Sequence, residues 1–483
     1  MPRPSDAATR VGDVGEGPSG LVDRAGSVSP LGASGPVWSA QWWIGGEDRW
    51  HVPSDEPSCR QRAIDSMPVL ETIIKVPSGD AIARCYGAVL AGSDRRGVVV
   101  DVENASPVPF AAAFVVVSDD DMTTDGTSVW IDGVAVVQLT RPAARFAYAS
   151  TPEQLRLALD GERFLERPTG AIAGVLALIL PVPHTTSLMA LVDPRPPARA
   201  RRTRDPEPTV EPFDRVTAPS ATQVASGWNT FVSRGVRLEG LDDASVAAFD
   251  AARADVLMGP EPTADARDLA AVATATARLG WLDEIGEVIA AVVDSQKLDG
   301  RIDSADPLDA TTRFLAATAA LWSAGVDADR LEALIGPIAK AGHWLGRGRR
   351  RPPLPIGSPA ASAASAALHA ITPALVAIDQ AGVAADLRAF AVTLADGDDA
   401  TDANAADTGD AADGPTSPVA GLTASADLVI AAIDAAVAET AEGLDVFGGW
   451  TPASLGASLE AHRVPTRWGI VSVAMRWHGE RPA

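Results

Sequence analysis

The stretch QKLDGRIDSADPLDATTRF, residues 296–314, holds Asp299, Asp303, Asp306 and Asp309. Carboxylates gathered in one loop are raw material for general acid–base chemistry, in which one group gives a proton and another takes one. Structural duties claim part of the set. Asp306 before Pro307 reads as a helix N-cap, and Asp309 suits the positive end of the same helix. Asp299 before Gly300 reads as a turn residue. The loop still matters, because loops between helical hairpins line the mouth of a layered helical array.

Other chemistries find less support. The histidines at 51, 184, 343, 369, 462 and 478 are scattered. They form no H-E-x-x-H or Cys/His spacing, so no metal is expected. No G-x-G-x-x-G or phosphate-binding loop follows a strand, so no cofactor is expected. Tryptophan is the second resource: 12 of the 24 aromatic residues are Trp. Trp38, Trp42, Trp43 and Trp50 crowd one region; Trp450, Trp468 and Trp477 crowd another. Flat apolar faces with a polar edge suit sugar rings, and equally suit buried domain contacts.

These residues must be positioned by two kinds of element. Short β-branched runs punctuated by turn residues extend from about 36 to 194: Val69–Val76, Ala81–Leu90, Val98–Val102, Phe110–Val117, Ser128–Leu139 and Ala144–Ala149. Asp125-Gly126 and Asp132-Gly133 mark turns. This spacing predicts an antiparallel β-sandwich. From about 227 the period becomes helical, as in Leu269, Val272, Ala273, Thr276 and Leu279 before Gly280. Roughly eight or nine alanine-rich helices with short loops predict antiparallel hairpins. Residues 1–35 read as a disordered tail, 195–226 as a Pro/Arg-rich linker, and 396–420, with seven aspartates, as a disordered loop. The close, RVPTRWGIVSVAMRWHGERPA, alternates Val471, Val473, Met475 and Trp477 with Ile470, Ser472, Ala474 and Arg476. That predicts a strand over the closing segment 446–483, expected to return to the β-domain or the domain junction. Arg476 or Arg481 is then expected to pair with Glu47 or Asp48.

With 483 residues, several domains are expected. A formal charge of −23 disfavours a nucleic-acid partner. The longest apolar run, Ala171–Leu180, is too short to span a bilayer, so no membrane partner is expected. Residues 1–20 show no apolar leader core, and a cytoplasmic location is expected. Cys59 and Cys85 are expected as reduced thiols.

The order of parts resembles the six-hairpin (α/α toroid) glycosidase-like proteins, whose architecture is that of glucoamylases and maltose phosphorylases. The resemblance rests on residues 227–259 (GWNTFVSRGVRLEGLDDASVAAFDAARADVLMG), 277–301 (ARLGWLDEIGEVIAAVVDSQKLDGR) and 309–322 (DATTRFLAATAALW). It implies an α/α toroid over 227–445 and a carbohydrate ligand. In the enzymes of that group two carboxylates, or one acid plus phosphate, cleave a glycosidic bond. On that reading Asp299 or Asp303 is the leading acid, Trp281 or Trp450 stacks a sugar, and Arg463 and His478 are rim residues. Two departures stand against full activity. Fewer than twelve helices are found, and no acidic residue lies between Glu332 and Asp379. The expectation is therefore a glycoside hydrolase-like protein acting on an oligosaccharide or glucan with a partly erased site, or a non-catalytic carbohydrate-binding or regulatory protein on the same scaffold. A third likeness is slighter. QKLDG resembles the Q-x-x-D-G turn of terpenoid-cyclase-like toroids, but occurs once, and the D-x-D-D of Asp396, Asp398 and Asp399 sits in the Asp-rich loop.

Overall fold

The computed structural model describes residues 8–31, 38–91, 95–166, 168–193, 218–261, 264–283, 285–346, 358–395, 421–440, 442–449, 458–478 and 481–482. The chain divides into two units, Met1–Thr230 and Phe231–Ala483.

The first unit is one large, curled antiparallel sheet. Its main path runs through strands Thr9–Gly12, Pro18–Val22, Val28–Ser29, Trp38–Gly45, Phe110–Thr124, Ser128–Ile131, Val134–Leu139, Ser187–Val192, Arg96–Ala105, Gly79–Val89, Val69–Val76 and Arg60–Ala63. The first strands fold back over the later ones. Gly87 sits so close to Gly12 that any side chain there would strike backbone. The result is sandwich-like, with Trp42, Phe114, Leu176 and Val102 in one shared core.

The long strand Phe110–Thr124 explains its own composition. Ala112, Phe114 and Val116 face that core, while Ala113 and Val115 face a second cluster with Trp43 and helix α1 (Pro152–Asp160). A strand covered on both faces is apolar throughout rather than alternating. The Asp-Gly signals behave as expected. Asp132 (φ 50°) and Gly133 (φ 77°) turn Ser128–Ile131 into Val134–Leu139.

The N-terminal expectation fails. Residues 9–29 contain three strands rather than a tail, and Val11, Val22 and Val28 are fully buried. The Asp and Gly residues that suggest disorder make turns instead: Asp23 Oδ1 accepts from the N–H groups of Ala25 and Ser27, each at 2.8 Å. The expected linker is also shorter at its end. Residues 194–217 lie outside the described residues, and helix α2 (Ala221–Val232) follows, with Ala221 and Ala225 packed on Tyr86 and Val99. Both cysteines are free.

The second unit is built of helices α3 (Asp243–Met258), α4 (Ala266–Leu279), α5 (Ile285–Asp294), α6 (Pro307–Ser323), α7 (Ala328–Gly346), α8 (Pro359–Ala377), α9 (Ala381–Ala395) and α10 (Leu422–Ala436). Three hairpins, α4/α5, α6/α7 and α8/α9, stand side by side, with neighbours in the order α3, α10, α4, α6, α8. Among the described residues α8 makes no extensive contact with α3 or α10, so these helices do not close into a ring. Alanine permits the close approach. Ala310, Ala364 and Ala374 are fully buried beside Phe314 and Leu368. Helix α8 is long and apolar enough to cross a membrane by length and composition; half of it is buried in this array.

The closing strands depart from expectation. Leu459–Thr466 pairs with Gly469–Met475 and, on its other edge, with Arg237–Glu239 of the same unit. They do not join the N-terminal sheet. The three-residue partner RLE is too short to carry a period-2 signal, which is why the helical half reads as offering no sheet. Arg476 reaches Glu460, 3.5 Å away, rather than Glu47 or Asp48. Asp48 is engaged by His51 at 2.9 Å and by Arg49. The Asp-rich segment 396–420 lies outside the described residues.

Candidate functional site

The helices α4, α6 and α10 begin at one end of the array, and their first turns are tied together. Asp265 caps α4 by accepting from the N–H of Arg267 at 2.9 Å, and its second oxygen accepts from the N–H of Ala305 at 2.9 Å, just before α6. Asp306 caps α6 through the N–H groups of Leu308 (3.2 Å) and Asp309 (3.1 Å). Thr423, in the first turn of α10, donates to Asp268 of α4.

Across this end runs an alternating chain of charge. Arg267 Nε donates to Asp309 Oδ2 at 2.5 Å, and Arg313 Nε donates to the same oxygen at 2.8 Å. The two terminal nitrogens of Arg313 fork onto Asp427 of α10, at 2.6 and 2.9 Å. Such two-point contacts fix orientation as well as charge. Arg313 is the most sheltered member, with 21% of its side chain exposed, against 46% for Asp427.

These contacts set the protonation states. Burial works against the Asp309 carboxylate, but hydrogen bonds from Arg313 and Arg267 outweigh it and hold its pKa below the ordinary value. Asp265 is likewise lowered: burial is outweighed by N–H groups of Ala305 and Arg267 and the Ser304 hydroxyl. Among the described residues, the carboxyls whose pKa ends above the ordinary value, lifted by burial, are Asp13, Asp23 and Asp101, all in the first unit. The helix-end network therefore offers ionised acceptors and guanidinium donors, suited to hydrogen-bonding hydroxyl groups. A group that must protonate a leaving oxygen needs the opposite shift.

A pH prediction follows. A carboxylate with a depressed folded-state pKa adds stability above its unfolded value, about 3.9 for Asp, and loses it as pH falls through the folded value. Urea midpoints of the wild type are expected to drop below about pH 4, and Asp309→Asn to flatten that drop. Identical pH profiles for the two proteins would rule this contribution out.

The hairpin that carries Asp299 and Asp303 borders this end. The N–H of Lys297 donates to the Arg301 carbonyl, and Gln296 Nε2 donates to the carbonyls of Gly300 and Pro337, each at 3.0 Å, latching the turn to α7. Asp299 accepts from the N–H of Arg301 at 3.2 Å and is 47% exposed. Asp303 pairs with Lys297 at 2.8 Å, and that hydrogen bond holds its pKa below the usual carboxylate range. Both carboxylates sit in solvent with basic neighbours.

Trp281 is placed elsewhere. It follows Gly280 at the C-terminal end of α4, roughly 20 Å of helix away from Asp265. It is 4% exposed and stacked on Phe231, ring centroids 5.3 Å apart, so it is a core residue. Arg463 lies at that same far end. It is exposed on the strand Leu459–Thr466, in a bulge at φ 60°, with its N–H bonded to Ser472 Oγ at 3.0 Å. Its neighbour Pro465 lies against Gly280. Trp450 lies outside the described residues; His478 forms a short strand with Arg481. The fold thus separates Asp299 and Asp303 from Trp281 and Arg463.

Sequence reasoning assigned Asp309 only to a helix terminus and missed Arg267, Arg313 and Asp427. The i,i+4 pair Asp309–Arg313 was a usable local signal. Asp427, on another helix, gave none. At the far end a further group was missed: ligand atoms of Glu239, Glu460 and His462 all lie within 4.8 Å of one another. It is the one group of its kind among the described residues.

No protein-family model matches the chain, and no curated protein matches it in sequence. Solved structures similar to the chain include a bacterial glucoamylase complexed with acarbose, at 9% identity and a TM-score of 0.48. The match covers 80% of this chain and 66% of that one, so the chain spans just under two thirds of that protein's length. A likeness at this level concerns the course of the backbone, and no residue role is carried over from it.

Proposed function

We propose that the protein is a carbohydrate-directed protein of glycosidase-like architecture that binds an oligosaccharide or glucan at the helix-end network of its second unit without hydrolysing it. The ligand class comes from the resemblance of the segments at 227–259, 277–301 and 309–322. One observation favours binding over cleavage: Asp309 and Asp303 are held ionised by Arg313, Arg267 and Lys297. Fixed acceptors beside fixed guanidinium donors satisfy vicinal hydroxyls in both directions. Inverting hydrolysis needs a protonated carboxyl at one side of the bond and a carboxylate at the other.

Calorimetric titration with maltooligosaccharides and other neutral glucans is expected to give saturable binding, weakened by Arg267→Ala. No sugar release is expected from glucans or aryl glycosides, with or without phosphate. Absence of binding across the panel would sink the proposal. Sugar release abolished by Asp303→Asn would replace it with an active glycosidase.

A further inference from the structure

We propose that Glu239, Glu460 and His462 form a divalent transition-metal site, of zinc type, on the three-stranded sheet of the second unit. Strand register builds it. Glu239 stands directly opposite Glu460, and Arg237 opposite His462. Glu460 and His462 are two residues apart, so both project from one face. The alternate residues Leu459 and Ala461 are fully buried on the other. Three potential ligands from two strands distant in sequence are therefore held on one rigid surface, without a loop having to fold around an ion.

The separations fit a metal. His462 Nε2 lies 3.1 Å from Glu460 Oε2 and 3.8 Å from Glu239 Oε1. Bonds of about 2.0–2.2 Å in tetrahedral array put ligand atoms roughly 3.3 Å apart. Small side-chain rotations bring all three into range. The donor set selects the cation class. An imidazole with two carboxylates suits zinc and its neighbours, whereas calcium and magnesium favour all-oxygen shells. Two carboxylates balance the charge of a dication. Arg476, whose guanidinium lies 3.5 Å from Glu460, is 71% exposed, so it can swing aside. Three protein ligands leave a position open for water or a ligand oxygen, as in sites where the metal polarises what it binds. This site lies at the opposite end of α4 from the Asp309 network, so it stands or falls independently of carbohydrate binding.

The chelator-treated, tag-free full chain is titrated with Zn²⁺ in excess Mg²⁺, which occupies unspecific acidic surface. One tight equivalent is expected, with a rise in melting temperature, because an ion that binds only the folded state stabilises it. Co²⁺ in its place is expected to give visible absorption of a low-coordinate centre. His462→Gln is expected to weaken Zn²⁺ by more than the roughly 10–100-fold typical of outer-shell changes. Glu239→Gln, at a side chain 55% exposed and so harmless to folding, is expected to weaken it as well. His343→Gln is expected to change nothing. Zn²⁺ affinity no greater than that for Mg²⁺, or affinity unchanged in both the His462 and Glu239 variants, overturns the site and leaves an ordinary ion cluster.

Discussion

Replacing Gly240 by alanine is expected to lower the stability of the helical unit by about 2–5 kcal/mol. Gly240 has φ 87°, in the left-handed region that costs other residues about 1–2 kcal/mol. A Cβ there would also fall within the carbonyl of Ser458, at the start of the strand that pairs with Arg237–Glu239. Relief requires the two strands to part, at an overpacking cost of about 1–3 kcal/mol. Denaturant unfolding followed by far-ultraviolet circular dichroism measures the loss. An alanine variant within about 0.5 kcal/mol of wild type, the range of neutral surface changes, would mean the pairing is not as described. The substitution also separates Glu239 from Glu460, so the Zn²⁺ affinity of the folded variant is expected to fall with it.

Arg313→Ala is the second large effect. Arg313 makes three hydrogen bonds to Asp309 and Asp427, linking α6 to α10. Hydrogen bonds to charged groups contribute about 1.5–3 kcal/mol each when sheltered, and partial exposure discounts the sum. A loss of about 2–3 kcal/mol is expected. For a unit of this size it corresponds to a melting shift of roughly 4–12 °C. Arg313→Lys is expected to recover only part, since an ammonium cannot fork across both Asp427 oxygens. The double variant Arg313→Ala, Asp427→Ala tests the linkage directly. Additive losses would show that the two residues act apart.

Much of the fold was legible because its signals are local. Asp132-Gly133 dictates a tight turn wherever it sits between β-branched runs, and the strands on either side follow. Asp306-Pro307 starts a helix by supplying an acceptor and a preset φ, and α6 begins there. Composition was a poorer guide. Residues 9–29 look unstructured because turns dominate them, yet a few buried valines suffice to add strands to an existing sheet. The candidate site was half legible. Asp309 and Arg313 share a helix face, but only the packing of α10 against α4 brings Asp427 to them.

By itself, the sequence determined the order β then α, the turns, the helix starts and the lack of acids between Glu332 and Asp379, because each depends on neighbours within a turn or two. Tertiary structure decided what those elements touch. It put Trp281 in a core, tied the closing strands to Arg237–Glu239, and gave Asp309 and Asp303 basic partners that keep them ionised. A side chain's burial and charge environment are sums over residues distant in the chain, and spacing in one strand or helix does not carry that sum.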